Sequence, residues 1–357
     1  MPIVHEFRHT EQTRLTGAQT IAVVLPCYKS KQHVLDVIAR IGPETALIVA
    51  VDDACPMGTG AHIEQNCRDP RLVVVRNETN LGVGGAVMHG YQVAIAKGAD
   101  IVVKVDSDGQ MDPAFLPTLV RPILEGIADY TKGNRFFNIE DLHAMPVIRV
   151  LGNAGLSFFT KLSSGYWNIF DPTNGYTAVH RVALELLPLG KIDRRFFFES
   201  DMLFRLNLAG AVVVDIPMRA VYGDETSNLK ISRIFLAFLG KNLRNFAKRI
   251  FYRYFLRDLS LGSLELVVGT LLLGFGTIFG ATQWIAAVAA GQAASAGTVM
   301  LSGLPVLAGI QFLIGFFSFD LASVPRIPLI RLLGTERKAE VFAPPGCGQV
   351  SGSIRLR

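Results

Sequence analysis

The feature that most constrains this 357-residue chain is a long stretch without charge near its C-terminus. From Leu266 to Phe319 the sequence has no Asp, Glu, Lys or Arg. Because about 20 helical residues cross a hydrocarbon core of about 30 Å, the stretch is long enough for two spans and a turn. We predict transmembrane helices near 264–290 and 300–320, joined by the small, polar "GQAASAG". The alternative is a pair of buried helices in a soluble core.

Positive charge lies on both sides of this stretch, and the net charge is +5. Basic residues precede it, with no acid among them, at Lys230, Arg233, Lys241, Arg244, Lys248, Arg249, Arg253 and Arg257, and others follow it at Arg326, Arg331, Arg337 and Lys338. By the positive-inside rule, this pattern predicts a multi-pass protein of the cytoplasmic membrane with both termini in the cytoplasm. We expect anionic membrane lipid as the partner of the basic segment, and no nucleic acid, because the segment directly precedes the hairpin.

The N-terminus and the cysteines fit the same location. "MPIVHEFRHTEQTR" is polar and contains acids, so we expect no signal peptide. The four cysteines form no CxxC pair and no zinc-binding spacing, which favours reduced thiols.

Residues 18–225 alternate between strand-like and helix-like segments. "TIAVVLP" and "DIVVKVDSD" have the length and composition of buried strands, whereas "KQHVLDVIARI" and "GGAVMHGYQVAIAKG" have helical spacing. This order is typical of an α/β fold with a parallel, doubly wound sheet. We divide the chain into an N-terminal extension (1–17), an α/β domain (18–228), an amphipathic segment (229–262), the hairpin (263–321) and a tail (322–357).

Residues 231–257 combine an apolar stripe with a basic face. Apolar side chains recur at helical spacing from Ile231 to Tyr254, and most of the basic residues lie between them. Such a helix lies in the membrane surface with its apolar side towards lipid. The alternative is an amphipathic helix that covers the α/β domain, and one long helix can do both.

Two pairs of carboxylates lie where predicted strands end. Asp52 and Asp53 end the second strand, and Asp106 and Asp108 end the fourth. Open parallel sheets bind ligands beyond the carboxyl ends of their strands, and Mg²⁺ prefers carboxylates together with substrate phosphates. With the amide oxygen of Gln110, Asp106 and Asp108 form a candidate site for Mg²⁺ or Mn²⁺. The alternative is a solvated turn, because Asp and Gly also form turns.

Several motifs follow one another in the order found in family 2 glycosyltransferases. They are "AVVLPCYKS", "VAVDDA", "RNETNLGVGGAVMHGYQVA", "VVKVDSDGQMDP", "KGNR" and "DPTNGYTAVHRVAL". The chain resembles the polyprenol-phosphate sugar synthases of that family, of the dolichol-phosphate mannose and bactoprenol-phosphate glucose type, over nearly its full length. The resemblance implies a GT-A catalytic domain, Rossmann-like in its α/β layering, with juxtamembrane helices and C-terminal spans. The sequence departs from the family pattern at "PCYKS", where P-x-Y-N-E is usual, and at "DDACPMG", where D-D-G-S-T-D is usual.

The resemblance implies a pocket for a nucleoside-diphosphate sugar, with UDP or GDP as the nucleotide. The implied donor-binding residues are Pro26, Tyr28, Asp52, Asp53, Asn80, Gly82, Gly84 and Asp106. One of the acids after the second strand would face the base, because a buried carboxylate that pairs with a ring N–H discriminates between bases. The rival interpretation of "GVGGAVMHG" is a dinucleotide loop, but Val87 stands where the third glycine of G-x-G-x-x-G belongs.

The resemblance also implies a site for a polyprenyl phosphate acceptor. Arg135 and Arg149 match the positions that hold the acceptor phosphate in such synthases, and guanidinium groups bind phosphate oxygens bidentately. Asn153 falls where relatives have a small hydroxyl residue. The alternative for both arginines is a place on a surface loop.

Further acids are assigned by the same resemblance. Asp201, with Glu199 beside it, lies where relatives with hydroxyl acceptors keep a catalytic acid, although acids also favour a helix N-terminus for structural reasons. Asp171, with Asn174 and Gly175, is expected to shape the sugar pocket. The implied catalytic set is Asp106, Asp108, Arg135, Arg149 and Asp201, and the implied metal ligands are Asp106, Asp108 and Gln110.

The implied function is the metal-dependent, inverting transfer of one sugar to a polyprenyl phosphate at the cytoplasmic membrane face. One alternative is a glycosyltransferase whose acceptor is the hydroxyl of a glycan or a lipid-linked sugar, and another is an inactive membrane scaffold of the same fold. Processive synthesis is disfavoured, because neither Trp167 nor Trp284 lies in a Q-x-x-R-W motif. No motif fixes the oligomeric state, so a homo-oligomer stays open.

Overall fold

The computed structural model describes residues 19–137, 147–172, 174–218 and 231–333, without the side chains of 147–151, 153 and 231–235. Its strands are β1 (Ile21–Cys27), β2 (Thr45–Asp52), β3 (Leu72–Arg76), β4 (Ile101–Lys104), β5 (Tyr130–Asn134), β6 (Thr177–His180) and β7 (Val213–Pro217). They form one seven-stranded sheet in the order β3-β2-β1-β4-β6-β5-β7.

Helices cover the sheet and extend beyond it. They are α1 (Val34–Arg40), α2 (Thr59–Asn66), α3 (Gly82–Ala96), α4 (Leu116–Leu124), α5 (Val147–Ser164), α6 (Arg181–Glu185), α7 (Phe198–Ala209), α8 (Ile231–Phe251), α9 (Leu261–Ala289) and α10 (Ala296–Ala322). Short 3₁₀ turns occupy Pro113–Phe115 and Leu189–Lys191, and a π-helical turn, Tyr252–Arg257, continues α8.

The predicted parallel α/β sheet is confirmed for the first four strands but not for the whole sheet. β3, β2, β1 and β4 pair in parallel, and β5 pairs in parallel with β7. β6 is antiparallel to both of its neighbours. The chain enters β6 at the edge where β4 and β5 end, since Thr177 pairs with both Lys104 and Lys132, and it can only run back from there.

The central strands are buried on both faces, which explains their continuous apolar runs. One core cluster contains Val24 and Val102 together with residues of α3 and α7. The cluster on the other face contains Val23 and Val103 together with residues of α1 and α4. The carboxyl ends of β1, β2 and β4 therefore open at one edge of a rigid sheet, where the predicted acids lie.

The face of α8 that packs on the α/β domain is partly polar. Asn242, Asn245 and Arg249 are buried, whereas Leu236 and Leu243 are exposed. Phe238 of the same helix packs on Phe197, with ring centroids 5.3 Å apart. The helix thus covers the domain with polar as well as aromatic side chains and leaves part of its apolar stripe open. Arg249 belongs to the basic run of the sequence, but its guanidinium is buried with a carboxylate, Asp320, as its partner.

The two C-terminal helices form the hairpin that the sequence predicts. In the described part of the chain, α9 and α10, with 29 and 27 residues, are the two helices long and apolar enough to cross a membrane by length and composition. They approach closely at glycines, since a Cβ on Gly269 would lie 3.1 Å from the Gly309 carbonyl oxygen. Small residues permit such close packing between apolar helices. The hairpin therefore suggests that the protein associates with a membrane.

A buried ion pair joins one end of the hairpin to the α/β domain. Arg249 of α8 donates two hydrogen bonds to Asp320 of α10, from Nη1 to Oδ1 at 2.6 Å and from Nη2 to Oδ2 at 2.9 Å. The side chains are 0% and 1% exposed. Asp320 also accepts hydrogen bonds from the Tyr254 hydroxyl at 2.6 Å and from Nε1 of Trp167 at 3.2 Å. These contacts fix α10 against α8 and the loop after α5.

The chain returns to the α/β domain after α10. The backbone amides of Leu329 and Ile330 donate to the buried carboxylate of Asp129, at 2.9 and 3.0 Å. The same carboxylate accepts a hydrogen bond from the amide of Val212 at 2.8 Å. Leu329 joins the core cluster that also contains residues of α3 and α7. The hairpin is therefore attached to the domain through segments on both of its sides.

Candidate active site

Asp106 and Asp108 lie on the loop that begins where β4 ends. Ser107 between them is buried; its hydroxyl donates to the Pro26 carbonyl at 2.7 Å and lies 2.8 Å from the hydroxyl oxygen of Ser30. These contacts tie the loop to the end of β1. With Ser107 anchored inwards, Asp106 is partly accessible and Asp108 is exposed.

The oxygen atoms of Asp106, Asp108 and Gln110 are the donor set that this loop offers to a metal ion. The amide of Gln110 donates to Oδ1 of Asp108 at 3.0 Å, and Gly109 turns the chain with a φ of +81°. Carboxylate and amide oxygens suit Mg²⁺ or Mn²⁺. Among the residues that the structure describes, no three His, Cys, Asp or Glu side chains are grouped so as to hold a metal ion. An ion at this loop therefore needs further ligands, and diphosphate oxygens are of the right type.

A buried lysine that the sequence analysis did not single out contacts the first of these acids. Nζ of Lys104, the last residue of β4, lies 2.8 Å from Oδ1 of Asp106 and 3.8 Å from Oε1 of Glu199. Burial alone would lower the pKa of Lys104, but the two carboxylates raise it above its ordinary value. The available signal was a lysine inside the otherwise apolar run "IVVKV".

Glu199, in the first turn of α7, belongs to the same charged group. Burial raises the pKa of Glu199 to about 7, against the opposing effect of the ammonium groups of Lys104 and Lys132. Lys132 of β5 is fully buried and donates to the carbonyl of Asn174; burial lowers its pKa to about 8. A carboxyl group with a pKa near 7 can serve as a general acid or base at neutral pH.

Asp52 shapes the loop that follows β2. Its carboxylate accepts hydrogen bonds from the amides of Cys55 and Gly60, at 2.7 and 2.6 Å. Lys29 and Ala54 adopt positive φ angles of 58° and 50°, which are uncommon for residues with a side chain. The amide of Lys29 donates to Sγ of Cys55 at 3.1 Å. The two motifs that depart from the family pattern therefore contact each other.

Asp53 holds the turn that leads into α3. It accepts hydrogen bonds from Nδ2 of Asn77 at 2.7 Å and from the amides of Leu81 and Gly82, each at 2.8 Å. Nδ2 of Asn80 donates to the Asp53 carbonyl at 3.2 Å. Asp52 and Asp53 thus both organise loops at the predicted nucleotide pocket.

Gly82 and Gly84 bring the start of α3 close to the loop before α7. A Cβ on Gly82 would lie 2.6 Å from the carbonyl oxygen of Arg194, and one on Gly84 would collide with the carbonyl oxygen of Asp193. Sequence reasoning gave these glycines a role in approach to a nucleotide. Their described contacts show close packing within the protein, and their role towards a nucleotide stays a prediction.

The rim at the end of β1 is open to solvent. Tyr28 is 46% exposed, and Nζ of Lys29 lies 5.5 Å from the centroid of its ring. Pro26 lies in β1 itself and fixes the Ser107 loop through its carbonyl. An accessible aromatic ring beside the β2 loop can stack on a flat base.

Arg135 and Asp171, predicted for the acceptor phosphate and the sugar pocket, form one ion pair. Nε of Arg135 donates to Oδ2 of Asp171 at 2.8 Å, and Nη2 donates to Oδ1 at 3.1 Å. Asp171 is fully buried, so it fixes the plane of the guanidinium group at the start of the loop after β5. Arg149 and Asn153 belong to α5, but their side chains lie outside the described residues.

Asp201 holds α7 in place and shows no described contact with Lys104, Asp106 or Glu199. Its carboxylate accepts hydrogen bonds from the amide of Asp193 at 3.0 Å, from Nε of Arg205 at 3.1 Å and from Nδ2 of Asn245 at 3.0 Å. Residues two positions apart on a helix point in nearly opposite directions. The structure therefore brings Glu199, rather than Asp201, towards Asp106.

Comparison with known proteins defines the class. A family model described as glycosyl transferase family 2 matches residues 22–187, which include β1 to β4 and both acid pairs. A UDP-N-acetylglucosamine–dolichyl-phosphate N-acetylglucosaminyltransferase from Methanococcus voltae is 30% identical over 183 residues, which are 51% of this chain and 68% of that relative. The chain belongs to glycosyltransferase family 2, and its α/β domain has the GT-A-like, Rossmann-type core that the motifs indicate.

Two further relatives specify the resemblance within that family. An undecaprenyl-phosphate mannosyltransferase from Micrococcus luteus is 29% identical over 56% of this chain and 83% of its own length. A polyprenol monophosphomannose synthase from Mycolicibacterium smegmatis is 28% identical over 56% of this chain and 77% of its own length. The resemblance to polyprenol-phosphate sugar synthases that the motifs predicted is confirmed, and the chain is a glycosyltransferase.

A solved structure that aligns with this chain is glucosyl-3-phosphoglycerate synthase from Mycobacterium tuberculosis, in complex with Mn²⁺, UDP and glucosyl-3-phosphoglycerate. It aligns with a TM-score of 0.46 at 24% identity, over 63% of this chain and 80% of that one.

Proposed function

We propose that this glycosyltransferase moves a single sugar from a UDP- or GDP-hexose to a polyprenyl phosphate, with a divalent metal ion and inversion at the anomeric carbon. The observation that carries the proposal is the buried pair of Arg249 and Asp320, which fixes a hairpin without charge from Leu266 to Phe319 to the catalytic domain. A polyprenyl phosphate keeps its tail in the bilayer and its phosphate at the surface, where such a domain is held. The names of relatives that act on undecaprenyl, dolichyl and polyprenol phosphates support the same acceptor.

The donor would lie at the carboxyl ends of β1, β2 and β4. Tyr28 offers a stacking surface to the base, while Asp53 holds the loop beside it. Asp106, Asp108 and Gln110 would hold Mg²⁺ or Mn²⁺ together with diphosphate oxygens. When bound, the ion neutralises charge that develops on the leaving nucleoside diphosphate.

The acceptor phosphate would be bound by cations opposite the donor. Arg135, which is oriented by its ion pair with Asp171, would bind the acceptor phosphate together with Arg149. Asn153 would assist in this binding. A phosphate monoester has a second pKa near 6, so its oxygen is a nucleophile at neutral pH. A phosphate oxygen forms the new bond to the anomeric carbon while the bond to the diphosphate breaks and its electron pair leaves with the nucleotide. One such displacement inverts the configuration and needs no proton transfer.

The proposed location is the cytoplasmic membrane, with the catalytic domain and both termini in the cytoplasm. Sugar nucleotides are water-soluble, and the basic residues that flank the hairpin favour the cytoplasmic side. Of the basic residues in α8, Arg244 and Lys248 are not buried and are suited to anionic headgroups.

A second candidate keeps the donor chemistry but uses a hydroxyl group of a glycan or lipid-linked sugar as acceptor. The observation that favours it is Glu199, whose burial raises its pKa to about 7. A hydroxyl nucleophile needs a general base, which contributes a factor of about 10² to 10⁴, whereas a phosphate does not. Oε1 of Glu199 lies 3.8 Å from Nζ of Lys104, and Glu199 would serve as that base.

The test uses the purified full-length chain, a panel of radiolabelled sugar nucleotides and two acceptors, undecaprenyl phosphate and an undecaprenyl-diphosphate-linked sugar. We expect a labelled lipid on thin-layer plates only with the monophosphate, and only with Mg²⁺ or Mn²⁺ present. Asp108→Ala should abolish transfer while leaving the circular dichroism spectrum unchanged. Product formed only from the lipid-linked sugar would replace the first candidate by the second.

Arg149→Ala separates the two candidates further. A phosphate clamp predicts a large increase of KM for the lipid phosphate with little change of KM for the donor. An unchanged KM for the acceptor would favour the hydroxyl. Sugar-nucleotide binding by calorimetry, with and without Mn²⁺, addresses the inactive scaffold, since such a scaffold predicts no metal-dependent binding.

A further inference from the structure

The ammonium group of Lys104 lies inside the protein, directly behind the candidate metal site. Lys104 is 1% exposed; its Nζ is 2.8 Å from Oδ1 of Asp106 and 3.8 Å from Oε1 of Glu199. It also lies 5.5 Å from the centroid of the Phe198 ring. A buried charge is costly unless it is paired, and these contacts provide the pairing.

The backbone around Lys104 leaves this ammonium group little freedom to move. A Cβ on Gly175 would collide with Nζ of Lys104 and would lie 2.9 Å from Oδ2 of Asp106. Gly175 is therefore required because the loop before β6 closes over the ion pair. The side chain is confined between this loop, Phe198 and the acids that it contacts.

Lys104 and a divalent cation would share one carboxylate. The ammonium group occupies Oδ1 of Asp106, and an ion bound to the same carboxylate would lie a few ångströms from a fixed positive charge. Like charges at that distance repel appreciably even with the screening of a protein surface. Glu199 lies 3.8 Å from Nζ of Lys104 and offsets part of its charge, but in the described part of the chain no third acid is grouped with Asp106 and Asp108 as a further ligand for the ion.

A nucleoside diphosphate supplies the missing negative charge. Its phosphate oxygens offset the repulsion from Lys104 and add ligands to the two carboxylates. Binding of the ion and of the nucleotide should therefore be strongly coupled.

We propose that Lys104 is a positioning residue that holds Asp106 and keeps the affinity of the empty site for a free divalent cation low, so that the metal ion binds together with the donor diphosphate. The inference rests on the proposed function, because it assumes a metal–diphosphate site at Asp106. It assigns to Lys104 an effect of definite sign. Loss of its charge strengthens the binding of the ion alone, whereas loss of a merely structural residue would weaken it.

The experiment measures Mn²⁺ binding to the full-length protein in detergent by electron paramagnetic resonance, with no nucleotide and with saturating UDP or GDP. For the wild type we expect weak binding of Mn²⁺ alone and much tighter binding with one of the nucleotides. For Lys104→Met we expect the affinity for Mn²⁺ alone to rise on the order of tenfold, a conservative figure for removal of one nearby like charge. The enhancement by nucleotide should shrink correspondingly.

Two variants control for charge and burial. Lys104→Arg keeps the positive charge and should bind Mn²⁺ as the wild type does. Lys132→Met removes the neighbouring buried ammonium, which contacts the carbonyl of Asn174 and not Asp106, and should leave Mn²⁺ affinity unchanged. Thermal unfolding reports whether each variant is folded. If Lys104→Met does not fold, Lys104→Gln removes the charge with a polar side chain and carries the same expectation.

The outcomes are distinguishable. Folded, charge-removing variants at Lys104 that bind Mn²⁺ no more tightly than the wild type overturn the inference, as does an equal gain in Lys132→Met. If that failure is accompanied by nucleotide-dependent Mn²⁺ binding in the wild type, the proposed function survives it. Wild-type protein that binds no Mn²⁺ with either nucleotide contradicts the metal-dependent function, and the inference fails with it.

Discussion

The pair of Arg249 and Asp320 gives the sharpest prediction about how the apolar hairpin of α9 and α10 is held. In Asp320→Asn the guanidinium of Arg249 stays buried but loses its counter-charge, because α8 and α10 still enclose it. Removal of one partner from a buried ion pair costs about 3–5 kcal/mol. With side chains only 0% and 1% exposed, this pair belongs in that range rather than with surface pairs, which are worth at most about 1 kcal/mol.

A structural feature makes this change easy to follow. The chain has two tryptophans, and Nε1 of Trp167 donates to Oδ2 of Asp320 at 3.2 Å. In a Trp284→Phe background, Trp167 is the remaining tryptophan and reports on the junction. At about 2–4 °C per kcal/mol for domains of a few hundred residues, we expect Asp320→Asn to lower the Tm seen by Trp167 fluorescence by roughly 6–20 °C.

The matched control replaces both charges. Arg249→Met with Asp320→Leu removes the uncompensated charge, and apolar replacement of a buried pair is often neutral or stabilising. The Tyr254 hydroxyl and Nε1 of Trp167 lose their acceptor when both charges are absent, so we expect the double variant to recover part of the lost Tm. A Tm for Asp320→Asn within about 2 °C of its parent, or a double variant less stable than Asp320→Asn, would refute the reasoning.

Three further predictions concern the candidate active site. Because burial raises the pKa of Glu199 to about 7, above its ordinary 4.5, the folded state binds this proton more tightly than the unfolded state; stability should fall as pH rises from 4.5 to 7, by at most about 3 kcal/mol. Urea titrations of Glu199→Gln should lack that decline, and an identical pH dependence in the variant and the wild type would contradict the assignment. Asp171→Asn should loosen Arg135 and raise KM for the lipid phosphate on the order of tenfold, since bonds to charged groups are worth about 1.5–3 kcal/mol, while an equal rise in donor KM would count against an acceptor role. Gly175→Ala should push a Cβ to 2.9 Å from Oδ2 of Asp106 and cost about 1–3 kcal/mol by overpacking, and unaltered urea unfolding would show that the loop before β6 can yield.

Sequence reasoning succeeded where a local pattern carries the information. The central strands were legible because burial on both faces demands continuous apolar runs, as in β1 and β4. The position of Asp106 and Asp108 beyond the end of β4 could be predicted because these acids end such an apolar run. The hairpin could be predicted from the absence of charge alone, because 54 successive uncharged residues (Leu266 to Phe319) are not typical of a protein surface that faces water.

The features that the sequence does not reveal share a physical cause, which is pairing over long distances along the chain. Arg249 lies in a basic run and looks like its neighbours, but Asp320, 71 residues later, makes it a buried residue. Glu199 and Asp201 are two positions apart, and only the packing of α7 decides which of them faces the acids. The antiparallel direction of β6 likewise depends on its place between β4 and β5 in the sheet, which its own sequence does not show.

The contacts that attach the hairpin to the α/β domain bear on how the proposed donor and acceptor reach the candidate active site. The hairpin is bound to α8 through Asp320 and to the sheet through the amides of Leu329 and Ile330 on Asp129, so a swing of the domain would break buried polar contacts on both sides of the hairpin. Unpaired buried groups of this kind are expensive, and the catalytic domain should therefore keep a fixed height above the membrane. In the proposed function, a lipid phosphate would then reach Arg135 by lateral diffusion, which confines the search to two dimensions and raises its effective concentration. The soluble donor, in contrast, reaches the site from solution. In our proposal Lys104 controls its binding, because it makes metal binding depend on the donor diphosphate.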